Sequence, residues 1–301
     1  MHDNHDPIHE LVHLYVDGAI TRRGLVKRVA RRTGSVAAAV AALAGFEELQ
    51  GQTTAACPET VNVPLDAPDL IAQDVTFVGE DGTRLFAHLA YPKEMRDALP
   101  GILVAHENRG LVEHIKDVTR RAARAGYVAL SVDLLSRQGG VQNFPEPMMQ
   151  TQAYNRTTPF ERRSDFISGL SYIKALPQVR HDRIGMTGFC AGGAITWDFA
   201  VHVPELRAAV PYYGAPPVAE DIARIEAPVL AIYAERDRAL TQRLLTAANE
   251  MIARQKRFGM VVYEGTGHAF HNDTGPNYNA AAACDAWART VAWFDKFLKA
   301  D

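Results

Sequence analysis

Arg183–Gly193 reads RIGMTGFCAGG, an apolar run that enters Gly188-Phe189-Cys190-Ala191-Gly192. A helical stretch follows it. Glycines around a single Cys at this junction are the pattern of a nucleophile elbow, with Cys in place of the commoner Ser. The chemistry explains the residue types. A nucleophile on a sharp strand-to-helix turn is lifted above the sheet, and small neighbours let strand and helix approach each other. The N–H of Ala191 would then stand at a helix N-terminus, where it can donate to a developing oxyanion, and the helix dipole favours a thiolate. A buried Cys in a glycine-rich turn would look alike, so the remaining residues of a catalytic set must decide.

A thiol nucleophile needs a base, and the base needs an orienting acid. In nucleophile-elbow enzymes the chain order is nucleophile, acid, base, each after a strand. Val229–Ala234 reads as a strand and leads into Glu235-Arg236-Asp237; Met260–Tyr263 reads as the next and leads into Glu264-Gly265-Thr266-Gly267-His268. Asp237 and His268 are therefore the expected acid and base, with Glu235 a rival acid and His271 the nearest rival base. Earlier in the chain, Gly101–Gly110 (GILVAHENRG) is a strand ending in His106-Glu107-Asn108. The loop after such a strand supplies the second oxyanion N–H, and Asn108 is placed for it. Glu107 would bring a carboxylate close to the nucleophile, although a solvated loop acid reads the same way.

The elements that must hold these groups follow from the hydrophobic pattern. Val75–Val78 and Leu85–Tyr91 flank Asp81-Gly82, a hairpin signal. Short apolar runs then alternate with amphipathic stretches: the runs are 101–105, 127–132, 184–187, 208–213, 229–234 and 260–263, and the stretches lie near 113–125, 161–175, 191–202, 240–255 and 278–298. Such alternation predicts an α/β fold, a mostly parallel central sheet with helices on both faces. Three segments are expected: a helical N-terminal extension over 1–55, a linker over 56–71 and a catalytic domain over 72–301. Within the extension, Ile8–Val16, a stretch capped by Thr21 and an Ala-rich stretch capped by Ser35 have helical character.

The net charge of −3 disfavours nucleic acid and anionic membranes as partners. No apolar run is long enough to cross a bilayer. Of the three cysteines, Cys57, Cys190 and Cys284, no pair has the CxxC spacing of a thiolate metal site or redox motif, and nothing points to a metal or organic cofactor.

These motifs together resemble the dienelactone hydrolase (carboxymethylenebutenolidase) family. The resemblance covers about residues 72–298 and is carried by HENRG at 106–110, DLLSRQGG at 133–140, GFCAGG at 188–193, PYYGA at 211–215, AERD at 234–237 and GHAFHND at 267–273. It implies an α/β-hydrolase fold and hydrolysis of small esters or lactones by a Cys190–His268–Asp237 triad. It also implies that Glu107 interacts with the resting thiol and helps to form the thiolate. The oxyanion hole would be the N–H groups of Ala191 and Asn108, Arg137 would bind a substrate carboxylate, and Tyr213 would line the pocket. The family's catabolic members carry a second carboxylate-binding arginine four residues after the histidine, where this chain has Asn272. Neutral esters are therefore expected to be hydrolysed at least as well as carboxylated lactones. A thioesterase or acyltransferase on the same triad, and a non-catalytic binding protein of the same fold, are the alternatives. A homodimer is compatible with the sequence.

Thr21-Arg22-Arg23-Gly24-Leu25-Val26-Lys27, with the Ala-rich stretch after it, looks like a twin-arginine export signal. Arg31 and Arg32 crowd its mild apolar region, so the expectation is a helical arm on a cytoplasmic protein, with periplasmic export as the alternative.

Overall fold

Eight strands form one sheet in the order β1-β2-β4-β3-β5-β6-β7-β8. The structure is a computed structural model that describes residues 62–300. The helices expected before residue 55 lie outside the described residues. The strands are β1 (Leu70–Val78), β2 (Arg84–Pro92), β3 (Leu99–Ala105), β4 (Val128–Val132), β5 (Val179–Phe189), β6 (Ala208–Tyr212), β7 (Val229–Ala234) and β8 (Phe258–Tyr263). The first two strands form an antiparallel hairpin and β2 pairs antiparallel with β4; every later pairing is parallel.

The central strands are continuous apolar runs because both of their faces are covered. In β3, Leu103 and Ala105 belong to the core on one face, with Trp197, Phe199 and Tyr233, while Ile102 and Val104 belong to the other, with Trp293 and Phe294. The edge strand β1 instead exposes much of its length.

Seven helices are described: α1 (Glu113–Arg124), α2 (Pro147–Asn155), α3 (Pro159–Lys174), α4 (Ala191–His202), α5 (Ala219–Ile222), α6 (Arg238–Ala253) and α7 (Ala280–Phe294). Five match the amphipathic stretches of the sequence; α2 and the short α5 do not. Helix α3 starts where its sequence says it should. Pro159 occupies the first turn, and Thr158 and Glu161 form a reciprocal capping box.

Chain direction fixes the place of the site. From β3 the chain moves to β4 on one side, then returns to place β5 on the other side of β3. The carboxyl ends of β3 and β5 thus flank the point where strand order reverses, which is where open α/β sheets form their binding crevice. Ala105 and Gly188 are register partners there, so the loop carrying Glu107 and Asn108 faces the turn carrying Cys190.

Candidate active site

Cys190 joins β5 to α4 with φ 56° and ψ −114°. A non-glycine residue with positive φ is strained and persists only where its surroundings hold it. Its N–H donates to the Tyr212 carbonyl at 3.1 Å. Gly192 lets the start of α4 lie against the end of β3: a Cβ there would stand 2.6 Å from the His106 carbonyl oxygen and closer still to that of Ala105. Gly193 does the same toward Gly214 on the other side. The elbow is therefore wedged between two loops, which holds the unfavourable backbone of Cys190. The thiol is half-buried and free, whereas Cys284 is disulfide-bonded.

His268 stands in the loop after β8. Its Nδ1 meets Asp237 Oδ2 at 2.5 Å, which leaves Nε2 for the thiol of Cys190, whose influence reaches the imidazole. Burial alone would push the imidazolium pKa down. Interaction with Cys190, followed by the hydrogen bond and charge of Asp237, outweighs burial and raises it to about 9. The rival acid Glu235 is engaged elsewhere. Its Oε2 accepts the Gly265 N–H at 2.7 Å and so props the turn before His268. The rival base His271 is fully buried, stacked on Phe189 at 4.8 Å, and held neutral by burial and by the charges of Arg121 and His114. His106 is buried too; its Nδ1 donates to the Glu107 carbonyl and its Nε2 accepts the Leu134 N–H.

The N–H groups of Ala191 and Asn108 donate to no other group among the described residues. That of Ala191 opens α4, where the helix dipole adds positive potential. The close packing of Gly192 on residues 105–106 brings the two loops that carry these donors together. Buried Tyr213 lies 5.0 Å from His268, ring to ring. Its phenol is held neutral by burial first, then by the charges of Glu107 and Cys190.

Glu107 is buried. Its Oε2 accepts from Asn272 Nδ2 at 2.8 Å and lies 3.7 Å from Arg109, while its Oε1 is buried without a hydrogen-bond partner. Asn272, at the position of the family's second arginine, is engaged by this carboxylate. It is 2% exposed, its amide nitrogen holds Glu107, and its oxygen accepts from Thr274. A buried amide is fixed by the bonds it must satisfy, so Asn272 supports the carboxylate. Arg137, expected to bind a substrate carboxylate, is engaged by side chains of the protein. Its guanidinium is bidentate to Asp165 and also bonds Asp81 and Thr83. Four of its five N–H donors are engaged, and two carboxylates neutralise its charge. Sequence reasoning also passed over Tyr154 on α2. Its phenol is pushed up to about 12 by burial, against the charge of Arg162 and with that of Cys190. Among the described residues, no cluster of three His, Cys, Asp or Glu side chains could hold a metal ion, and no helix could cross a membrane.

The sequence profile of the dienelactone hydrolase family matches residues 85–298. The chain belongs to this family. It is 35% identical over 247 residues to a provisionally named carboxymethylenebutenolidase of Methylorubrum extorquens, covering 78% of this chain and 84% of that one. A protein of the same provisional name from Escherichia coli K12 is 32% identical over 259 residues, covering 82% and 95%. A crystal structure from Klebsiella pneumoniae, provisionally described as a dienelactone hydrolase, superposes with a TM-score of 0.70 at 30% identity, over 76% of this chain and 99% of that one. Family membership points to a hydrolase of lactones or esters and agrees with the α/β-hydrolase sheet described above.

Proposed function

We propose that this dienelactone hydrolase family member is a cysteine hydrolase of small esters or lactones that works through a thioester acyl-enzyme. One observation carries the reading: Asp237 fixes His268, and the free thiol of Cys190 stands at the N-terminus of α4 within electrostatic reach of that imidazole.

The chemistry follows from these positions. The Cys190 thiol gives its proton to His268 Nε2 as its sulfur attacks the acyl carbon. The carbonyl oxygen takes up the negative charge and is met by the N–H groups of Ala191 and Asn108. The tetrahedral adduct then expels the alkoxide, which takes a proton from the His268 imidazolium; in a lactone the alcohol stays tethered to the acyl group. Water next attacks the thioester as His268 accepts its proton, and collapse releases the carboxylic acid and restores the thiol. Asp237 keeps the imidazole oriented and stabilises its cation throughout. Glu107, beside this centre, restrains the resting thiol.

The test is intact-mass spectrometry of the enzyme quenched during turnover of a p-nitrophenyl ester. Wild type is expected to gain one acyl group on Cys190, and iodoacetamide is expected to inactivate it by labelling the same residue. Cys190→Ala is expected to lose both acylation and turnover while keeping its melting temperature. Full turnover by that variant would refute the proposal.

We further propose export as the setting of this activity. Disulfides persist in oxidising compartments, so the bond at Cys284 supports the twin-arginine reading of Arg22-Arg23 over the cytoplasmic one.

A further inference from the structure

The chain has three cysteines, Cys57, Cys190 and Cys284. Cys190 carries a free thiol, whereas Cys284 is disulfide-bonded. A disulfide needs two cysteines, and Cys57 is the one that remains to pair with Cys284. Cys57 lies outside the described residues, so the pairing rests on the number of cysteines and on the states of the other two. The hydrolytic chemistry above uses neither member of this pair.

The place of Cys284 gives the bond a consequence. It is half-buried in the second turn of α7, and the residues that follow it touch the elements that deliver His268 and Cys190. Asp285 accepts from the Tyr263 hydroxyl at 2.6 Å, at the end of β8. The Ala286 carbonyl accepts from the Tyr212 hydroxyl at 3.0 Å, and Tyr212 in turn accepts the Cys190 N–H at its own carbonyl. Trp287 lies 6.1 Å from His271, ring to ring. At the start of α7, the Asn279 N–H donates to the Phe270 carbonyl at 2.9 Å, and its side chain caps the helix by accepting the Ala282 N–H at 3.0 Å. Phe270, just beyond His268, packs its ring on Tyr213 at 5.6 Å and on Tyr263 at 5.1 Å. The first turns of α7 therefore form the backing of the loop over 264–273. Helix ends are among the parts of a fold that open most easily. A covalent tie in the second turn holds this end down, and without it the end frays and the backing of the loop is lost.

We propose that a Cys57–Cys284 disulfide is a reversible modification site that controls this hydrolase. Closed, it holds α7 against the histidine loop and turnover is full; opened by exchange with a dithiol, it releases that end of the helix and turnover falls. The inference rests on the hydrolase reading above and adds its regulation. One thiolate of the dithiol attacks a sulfur of the bond to form a mixed disulfide, and the expelled cysteine thiolate takes up a proton. The second sulfur of the dithiol then attacks the mixed disulfide, closes the reagent's own disulfide and releases the other cysteine as its thiol. Two electrons and two protons pass from the dithiol to the cysteine pair. Disulfides persist in oxidising compartments, so full activity belongs to such a compartment.

The experiment compares the full chain isolated without reductant with the same protein reduced by dithiothreitol and desalted. Peptide mapping of the unreduced protein is expected to recover a linked pair of peptides that joins Cys57 to Cys284. Reduction is expected to lower kcat for p-nitrophenyl acetate roughly tenfold, as small displacements of a catalytic group do. Dithiothreitol keeps the Cys190 thiol reduced, so this loss does not come from oxidation of the nucleophile. Cys57→Ser opens the bond without altering α7, and it should show the kcat of the reduced enzyme whether or not it has been treated. A second measurement does not need turnover: hydrogen exchange over 264–273 should quicken on reduction of wild type and be quick at the outset in Cys57→Ser. A bond that only stabilises the fold would lower the melting temperature on reduction and leave both kcat and this exchange unchanged, which would overturn the proposal. A map without the Cys57–Cys284 link would overturn it as well. If wild type hydrolyses no ester, the hydrolase reading fails, and the exchange measurement still decides whether the bond holds the histidine loop.

Discussion

Replacing Gly192 by Ala tests the reading of the elbow directly, because two effects of known size oppose each other. Alanine is the better helix former, and in an exposed helix the change would add about 1 kcal/mol of stability. Here the new methyl would stand 2.6 Å from the His106 carbonyl oxygen and closer still to that of Ala105, whereas ordinary contact begins near 3.4 Å, so helix and loop must separate by more than about 0.8 Å. Both neighbours are backbone, with no flexible tip to give way. Overpacking of this kind costs about 1–3 kcal/mol, which exceeds the propensity gain. The displacement also falls on the N–H groups proposed for the oxyanion. Loss of one such donor lowers kcat by about 10²–10³, and Gly192→Ala is expected to fall in that range with a modest drop in melting temperature. The assay is kcat on a neutral aryl ester together with thermal unfolding. Gly259→Ala is the control, since its nearest obstacle is the Leu230 Cδ1 tip at 3.2 Å, which can shift. A Gly192→Ala enzyme with wild-type kcat would show that the two loops do not share an oxyanion site.

Asp237→Asn is expected to lower kcat by about 10³–10⁴, because His268 loses the group that orients it and stabilises its cation. Glu235→Gln, which changes only the prop on Gly265, should cost less than about tenfold; a reversed order in steady-state assays would identify Glu235 as the acid. His268 is raised to about 9 from its ordinary 6.5, so its contacts with Cys190 and Asp237 stabilise the fold fully below about pH 6.5 and are lost as pH rises through about 9. The imidazolium that protonates the leaving group is lost over the same range, so kcat/KM should fall with an alkaline limb near 9 that moves to lower pH in Asp237→Asn. A profile that stays flat from about pH 8 to about pH 10 would contradict this. Reduction of the Cys284 disulfide should remove about 2–4 kcal/mol and lower the melting temperature by roughly 5–15 °C; a scan unchanged by dithiothreitol would show that the bond does not stabilise the fold.

The six strands β3 to β8 were legible because buried parallel strands are written as short unbroken apolar runs, the first two because Asp81-Gly82 marks a hairpin turn, and the elbow because only glycines permit its close approaches. The order of Cys190, Asp237 and His268 followed from their places after β5, β7 and β8. What was not legible depended on distant partners. Arg137 meets Asp165 and Asp81, which are 28 and 56 residues away, and Asn272 meets Glu107 across 165 residues. No local pattern announces such pairings, so both residues looked free to meet substrate. Helix α2 (PMMQTQAYN) lacks an apolar stripe and starts on a proline. Tyr154 and its neighbour Arg162 were overlooked with it. Glu235 and Asp237 share one loop, and only the positions of Gly265 and His268 across from them separate their roles.

The position of His268 depends on more than Asp237. Beyond it in the loop, Asn272 is tied to Glu107, and Asp273 bonds His114 at 2.8 Å and Arg121 at 2.6 Å. Asn277 donates to the His268 carbonyl at 2.9 Å. Arg121 is also paired with Asp117 on α1, whose other oxygen accepts the Val63 N–H at 2.6 Å. Burial would raise the Asp273 carboxyl, but His114 and Arg121 hold it below the usual carboxylate range. Such buried ionic groups add little net stability compared with apolar packing, yet removing one member strands the others and costs about 3–5 kcal/mol. The network therefore acts as a specifier of position. It lets the loop take one arrangement, with the imidazole between Asp237 and Cys190, and makes alternatives expensive. Because Asn62 and Val63 bond the same arginines of α1, Arg121 and Arg120, the segment that leads into the sheet helps to set the geometry of a histidine about two hundred residues later.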